Sequence, residues 1–402
     1  MDLVSAVETL VPNPFHPALL TLAAALAFVF ATYVGYPAVI ALWGRLRPVR
    51  EAPPSGPERL PSMTCIVAAH DEGDALVRKV ENLLALDYPA PLDIVIADDG
   101  STDGAAARAR ALAPERIQVV SNPTQMGKPS ALVRAVRAAT GDLLLLCDTR
   151  QVFDRGAARA LARPFRDESV GAVTGQLRLD AARGPGFYWR YETAIRIAEA
   201  RSGSVTGVTG AIYAIRRTLF PADMPPDVIL DDVYVPMTVV AARRRVAYAA
   251  DAIAFDRELD VGREFTRKVR TLAGNFQLMA LMPSLLAPTH PAFNRFFWHK
   301  TARLVCPWAL LVALVAAFAL PGLLGSGVFA AEIVFYGAAL FGYMRGNRSG
   351  RVASLAYTFV ALNFAAMFAL WVFVRGASRV TWVQTSTLVT PNGFEQQARL
   401  AA

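Results

Sequence analysis

Residues 19 to 43 carry no charged side chain, and three further apolar stretches, 304 to 320, 328 to 344 and 352 to 374, lie near the other end of the chain. At about 1.5 Å of rise per residue, the first reaches across a hydrocarbon core ~30 Å thick. A segment in lipid must satisfy its backbone polar groups internally, so each stretch is expected to be a helix. With 54% of residues apolar, the chain reads as membrane helices plus one globular domain rather than as a soluble protein. The expected order is an extracytoplasmic amino terminus (1–18), a span (19–43), a proline-rich linker (44–61) and a globular domain (62–260). Amphipathic interfacial helices (261–300), about three spans (301–376) and a tail (377–402) follow.

Arg45, Arg47 and Arg50 follow the first span, whereas Asp2 and Glu8 precede it. The positive-inside rule then puts the amino terminus outside and the globular domain in the cytoplasm. The acidic start Met1-Asp2-Leu3 and the length of the segment favour a span over a secretory signal. Arg345, Arg348 and Arg351 mark the loop before the last span as cytoplasmic. Counting four spans leaves the carboxyl terminus outside, where Arg375 and Arg379 run against the rule.

The net charge is +8. Arginines beside the apolar segments account for it, and no compact basic and aromatic patch is present, so nucleic acid is not an expected partner. Cys65, Cys147 and Cys306 sit inside apolar runs without CxxC spacing. They read as small buried hydrophobes, not as a disulfide framework. His16, His70, His290 and His299 lack metal-ligand spacing and read as packing or interface residues.

Between the apolar ends, short apolar runs alternate with helical patterns. Strands are expected at 63–69, 92–98, 117–120 and 143–147, with helices at about 72–85, after Ser101-Thr102-Asp103 and from about Gly127. Such alternation implies a mainly parallel sheet covered on both faces. Residues 170–256 are less regular, with strand candidates at 207–215 and 245–249. A helix over 262–282 has a basic first half (Arg263, Arg267, Lys268, Arg270), as in helices that lie in a membrane interface. Acidic clusters follow three of the strands: His70-Asp71-Glu72, Asp98-Asp99-Gly100-Ser101 and Cys147-Asp148-Thr149, with Asp231-Asp232 further on. Carboxylates at the carboxyl ends of strands in an open α/β sheet converge on the crevice where such folds bind ligands.

These clusters occur in order with Gly127-Lys128, Asp148-Thr149-Arg150-Gln151, Gly207-Val208-Thr209-Gly210-Ala211 and Arg267-Lys268-Val269-Arg270-Thr271. Together, over roughly residues 60 to 300, they resemble the membrane-integrated family-2 glycosyltransferases, the branch containing cellulose, hyaluronan and poly-N-acetylglucosamine synthases. The resemblance implies an α/β fold, a GT-A-like nucleotide-diphospho-sugar transferase domain with flanking transmembrane helices. It implies an inverting enzyme of a bacterial-type inner membrane, moving a sugar from a nucleotide sugar, UDP-linked in the first instance, to a lipid-linked or polysaccharide acceptor.

The resemblance also assigns roles. Glu72, Asp98 and Asp99 would hold the base and ribose, although Asp99-Gly100-Ser101-Thr102-Asp103 also makes a good turn and helix start. Lys128 would approach the donor phosphates. Gly127-Lys128 is no P-loop, because Asn122 stands where its first glycine would be and Pro129 replaces its serine or threonine. Asp148 matches the first acid of an Asp-x-Asp metal motif and implies a divalent cation, magnesium or manganese. Arg150 stands at the second acid. Asp232 would be the catalytic base with Asp231 as its acidic neighbour; the bland alternative is a helix cap. Thr209, Gly210 and Ala211 would touch the acceptor, and Arg270 the donor. Thr271 replaces the tryptophan of the motif linked with processive synthesis. A processive, translocating synthase and an inactive binding or scaffold homologue are the two other readings.

Overall fold

The computed structural model describes residues 15–49, 60–180, 187–257, 261–346 and 349–376. The expected amino-terminal segment up to residue 14, most of the linker and the tail from residue 377 lie outside the described residues. The described residues group into two units. One holds residues 60–180 and 207–257. The other holds residues 15–49, Phe187–Thr206 and the helices from Val261 onward. Residues 187–206, read from the sequence as part of the 62–260 domain, thus group with the apolar helices.

The first unit is built on one eight-stranded sheet. Its strands are β1 (Met63–Ala69), β2 (Leu92–Asp98), β3 (Ile117–Ser121), β4 (Leu143–Asp148), β5 (Val152–Phe153), β6 (Val170–Asp180), β7 (Ile212–Arg216) and β8 (Arg245–Arg257). The spatial order is β3-β2-β1-β4-β7-β6-β8-β5. β1 is buried at every position, as its unbroken apolar run requires of a strand covered on both faces. Helix Asp74–Leu84 places Leu76, Val80 and Leu83 along one stripe, and they pack with Cys65, Ile94, Ile96 and Leu145 in the core.

The sheet is parallel from β3 to β4. Beyond β4 it is mixed, because β7 runs antiparallel to both β4 and β6. The expected parallel arrangement holds from β3 to β4 and again between β6 and β8, while β7 and β5 pair antiparallel. β6 gave no strand signal because Gly171 and Gly175 interrupt its apolar pattern. They sit at two register shifts against β8, the positions where a bulge absorbs an extra residue. A Cβ at Gly175 would lie 2.6 Å from the Ala252 carbonyl oxygen, so the close approach excludes a larger residue. The chain leaves β1 toward β2 and β3, then returns to β4 on the other side of β1. The crevice at this reversal opens beyond the carboxyl ends of β1, β2 and β4.

In the second unit, four helices are long and apolar enough to cross a membrane: Pro17–Leu46, Phe293–Ala319, Gly322–Arg345 and Gly350–Val374. Their outward faces carry Val315, Phe318, Val334 and Phe364 in exposed positions. Their inward contacts use small residues. Ala25 meets Ala313, Ala316 and Ala317, and Ala365 and Ala369 meet Val269 and Ala273. Close backbone approach of this kind is how helices associate in lipid, where burying apolar surface against a neighbour gains little.

The second of these helices begins at Phe293, about three turns before the apolar stretch read from residue 304. Polar His299, Lys300 and Arg303 masked its start. The structure pairs two of them internally. His299 lies between Glu199 (2.7 Å, Nδ1 to Oε1) and Glu192 (3.2 Å, Nε2 to Oε2). Arg303 donates to the other oxygen of Glu192. Glu199 is fully buried and also accepts from the Tyr36 hydroxyl at 2.6 Å and the Thr206 amide at 3.1 Å. Burial pushes the Glu199 carboxyl up, but His299 and Tyr36 outweigh it and hold the group below the usual glutamate value.

Losing Glu199 leaves His299 with Glu192 alone and takes the acceptor away from the buried Tyr36 hydroxyl and Thr206 amide. Glu199→Ala is expected to destabilise the detergent-solubilised chain by roughly 3–5 kcal/mol. Arg108→Ala removes an ion pair to Asp74 whose side chains are 50% and 78% exposed, and should cost less than about 1 kcal/mol. Thermal melts check the contrast. A Glu199→Ala chain that melts with the wild type would show that the cluster carries no stability. Because the folded carboxyl is depressed, its stabilisation is present above the ordinary glutamate pKa. It should fade as the pH falls below that value toward the folded one.

Candidate active site

Two loops that leave β1 and β2 are knitted together by acidic side chains. The Thr102 amide donates to Asp71 at 2.7 Å, and the Ser101 hydroxyl accepts from the Asp71 amide at 3.0 Å. Asp103 accepts from the amides of Gly73 and Ala105. Asp98 accepts from the Ser101 amide at 3.0 Å, closing a turn of its own. Gly100 has φ +73°, and a Cβ there would meet the Thr124 carbonyl carbon at 2.7 Å. Only glycine lets the β2 loop approach the segment after β3 so closely.

Asp99 is fully buried. Its carboxylate accepts from the Asn122 side-chain amide (2.7 Å) and from the backbone amides of Met126 and Gly127 (2.8 Å each). The sequence puts Asp99 on the nucleotide; in the structure its carboxylate holds a loop. Both oxygens are engaged by N–H donors, and the acid ties down the loop that ends at Lys128. Asp98 is likewise buried, with one oxygen in its turn. Glu72, at the end of β1, is buried as well. Burial raises its carboxyl above the usual value and Asp148 adds to that, while the Thr149 hydroxyl and Arg150 pull it down.

Lys128 opens helix Lys128–Ala138. Its Nζ lies 2.9 Å from Asp148 Oδ1 and 3.2 Å from Asp231 Oδ2. Asp148 comes from the end of β4, and Asp231 from the first turn of helix Asp231–Ala241. Three elements far apart in sequence thus converge on one ammonium. Burial alone would depress this lysine, but Asp148 and Asp231 together hold it well above the ordinary value. It therefore stays cationic.

Asp232 follows Asp231 in the same turn, where the helix dipole favours negative charge. Its carbonyl accepts from the Val208 amide at 2.9 Å. Gly210 lies against its side chain: a Cβ there would be 3.6 Å from Asp232 Cβ and 3.8 Å from Oδ2. Thr209 donates its amide to Thr174 on β6 at 3.0 Å, and Thr209 and Ala211 are buried. The structure therefore brings Thr209, Gly210, Ala211, Asp231, Asp232, Lys128 and Asp148 into one region of the sheet unit. Arg270 is exposed on helix Val261–Leu281 and belongs to the helical unit.

The residues after Asp148 are pinned one by one. Arg150 donates from Nη2 to Asp256 on β8 at 2.5 Å, and the Gln151 side chain donates to the same oxygen at 2.9 Å. The Gln151 carbonyl accepts from Lys79 at 2.9 Å, a buried lysine whose ammonium also sits 3.2 Å from the Phe153 ring centroid. Asp256 escaped the sequence reading, although an acid inside the apolar strand run Ala252-Ile253-Ala254-Phe255 was a usable signal. Tyr213, on β7 beside β4, left no such signal. It is buried, burial and then Asp231 push its phenol well above the usual value, and among the described residues its hydroxyl makes no hydrogen bond.

Among the described residues no group of three or more His, Cys, Asp or Glu side chains is arranged to hold a metal ion. Asp148 stands 40% exposed with Lys128 on one oxygen. This donor set does not make a protein-only cage. It fits magnesium or manganese held by one carboxylate and completed by ligand phosphates and water.

Residues 64–221 match the model of Glycosyl transferase family 2. The chain is 32% identical over 169 residues to an N-acetylglucosaminyltransferase of Azorhizobium caulinodans, covering 39% of this chain and 43% of the relative. It is 32% identical over 123 residues to an N-acetylglucosaminyltransferase of Rhizobium leguminosarum bv. trifolii, covering 29% of this chain and 68% of the relative. The chain spans about half the length of most of the curated relatives it matches. In fold it is similar to a mannosyltransferase from Pyrobaculum calidifontis solved with GDP-Man and Mn2+, with TM-score 0.68, 24% identity and coverage of 87% of this chain and 99% of that one. An eight-stranded mixed sheet with the acids at its strand ends, the family match and the shared fold lead to one assignment: the chain belongs to glycosyl transferase family 2, with a GT-A-like domain and apolar helices flanking it.

Proposed function

We propose that this chain is an inverting glycosyltransferase that moves a sugar from a nucleotide-sugar donor, UDP-linked, to a lipid-linked or polysaccharide acceptor at the cytoplasmic face of the membrane. The observation that carries the reading is Lys128 suspended between Asp148 and Asp231, with Asp232 and Gly210 beside them. The names of the relatives support N-acetylglucosamine as the sugar to test first.

Sugar transfer needs the leaving diphosphate neutralised, the acceptor hydroxyl deprotonated and the two held in line. Lys128 supplies a cation that stays charged, at the end of the strand carrying Asp148. Asp232 removes the proton from the acceptor hydroxyl as that oxygen attacks the anomeric carbon, and a single displacement inverts the configuration. Asp231 holds Lys128, and Asp232 follows it in the same helical turn. A divalent cation at Asp148 would add positive charge on the diphosphate as the sugar departs. Glu72 and Asp98 remain assigned to the nucleoside, and Arg270 to the donor. Thr271 is exposed and donates to the Arg267 carbonyl within its own helix. It offers no aromatic platform, which supports transfer of one or few sugars per encounter over a long processive chain.

Asp232→Asn should lower transfer by ~10²-fold or more, the range of a lost general base, with nucleotide binding intact. A variant with unchanged turnover rejects the role. Calorimetric titration of Mg2+ or Mn2+ should give weak binding to the protein alone and stronger binding with nucleoside diphosphate present. Asp148→Ala should abolish that enhancement. Full activity of the wild type in excess chelator would overturn the metal assignment.

The orientation is tested with a reporter fused near Pro57. It should behave as cytoplasmic, where nucleotide sugars are found. Labelling of that position by an impermeant reagent from outside intact cells defeats the orientation and the donor reading with it.

A further inference from the structure

Arg150 stands where an Asp-x-Asp motif would carry its second acid, and the structure holds it in a way that a stray surface cation would not need. Asp256, from the distant strand β8, is only 2% exposed. Its Oδ2 takes both the Arg150 guanidinium and the Gln151 amide. Thr149 and Gln151 are buried, and Lys79 holds the Gln151 carbonyl. Each residue of the turn after Asp148 is thus anchored, and Arg150 has little freedom to swing away.

The bond to Asp256 uses Nη2, whereas a guanidinium carries five N–H donors in a planar fork. The Arg150 side chain is 23% exposed, and its buried Nε makes no hydrogen bond among the described residues. Both Arg150 and Asp148 act on Glu72 at the end of β1. A fixed guanidinium beside the strand ends is suited to planar, forked recognition of phosphate oxygens.

We propose that Arg150, positioned by Asp256, binds the diphosphate of the donor in the place of a second metal-holding carboxylate, so that part of the affinity for a nucleoside diphosphate needs no divalent cation. This rests on the nucleotide-sugar reading above. A second acid would draw the metal to the protein; the cation instead meets the phosphate directly. The negative charge of Asp256 is compensated by two donors and fixes the orientation of the fork without adding charge toward the ligand.

The experiment is equilibrium binding of UDP, with GDP as a second probe, to the detergent-solubilised full chain in Mg2+ and in EDTA. The wild type is expected to retain binding in EDTA. The double variant R150M/D256N removes both charges and so leaves no unpaired buried acid. It should lose about tenfold or more of the EDTA affinity, the loss expected of one charge-assisted hydrogen bond. R150K keeps the charge but not the fork, and should fall between the two; it serves if the double variant does not fold by its thermal melt. Variants that bind in EDTA like the wild type overturn the inference. Wild-type binding that vanishes in EDTA but persists in Mg2+ also overturns it and leaves the donor reading standing. A wild type that binds neither nucleotide under either condition removes the donor reading itself.

Discussion

The ammonium of Lys128 between Asp148 and Asp231 is the interaction on which the site depends. Three acids, Asp148, Asp231 and Asp232, crowd the ends of elements that the fold brings together. Like charges at such distances destabilise one another unless a cation separates them. Lys128 fills that role, and the two carboxylates in turn keep it protonated. A nucleotide sugar would bring its own negative charge into the same space. Lys128 is already charged and held there, with its side chain 25% exposed.

Placing one lysine so accurately draws on acids that hold backbone amides. Asp99 spends both oxygens on the loop ending at Gly127, while Asp71 and Asp103 lace the β1 and β2 loops together. Carboxylates accepting backbone N–H groups are among the stronger anchors available to irregular chain. Arg150, Gln151 and Lys79 do the same on the other side of Asp148. The acids of this region thus divide into those that build the frame and those left partly open within it. Sequence pattern alone does not separate the two groups.

The helical unit solves a different problem with similar means. Its spans present bulky apolar side chains outward and pack through alanine inward. Charged residues that enter this setting are tolerated because Glu192 and Glu199 flank His299, and Glu192 also meets Arg303. Such a cluster is costly to desolvate and costly to break. It fixes which residues of helices Phe187–Ser202 and Phe293–Ala319 must meet, since any other register would strand a charge.

Much of this molecule is legible in its sequence. Uninterrupted apolar runs such as Met63–Ala69 and Leu143–Cys147 announce buried strands, the charge-free stretches announce spans, and the acidic clusters at strand ends mark the crevice, because these features depend on hydrophobic periodicity over a few residues. The strand Val170–Asp180, broken by glycines at its bulges, and the helix Phe187–Ser202, whose face answers to other apolar helices, were not legible for the same reason. Their partners lie far along the chain. The sequence by itself determined that acids would gather at one edge of an α/β sheet beside membrane helices. Only the tertiary structure decided that Asp99 braces a loop, that Asp256 anchors Arg150 from 106 residues away, and that Lys128 is shared by Asp148 and Asp231. Which carboxylate meets which cation is settled by how β4, β8 and helix Asp231–Ala241 pack, and local spacing carries no record of that.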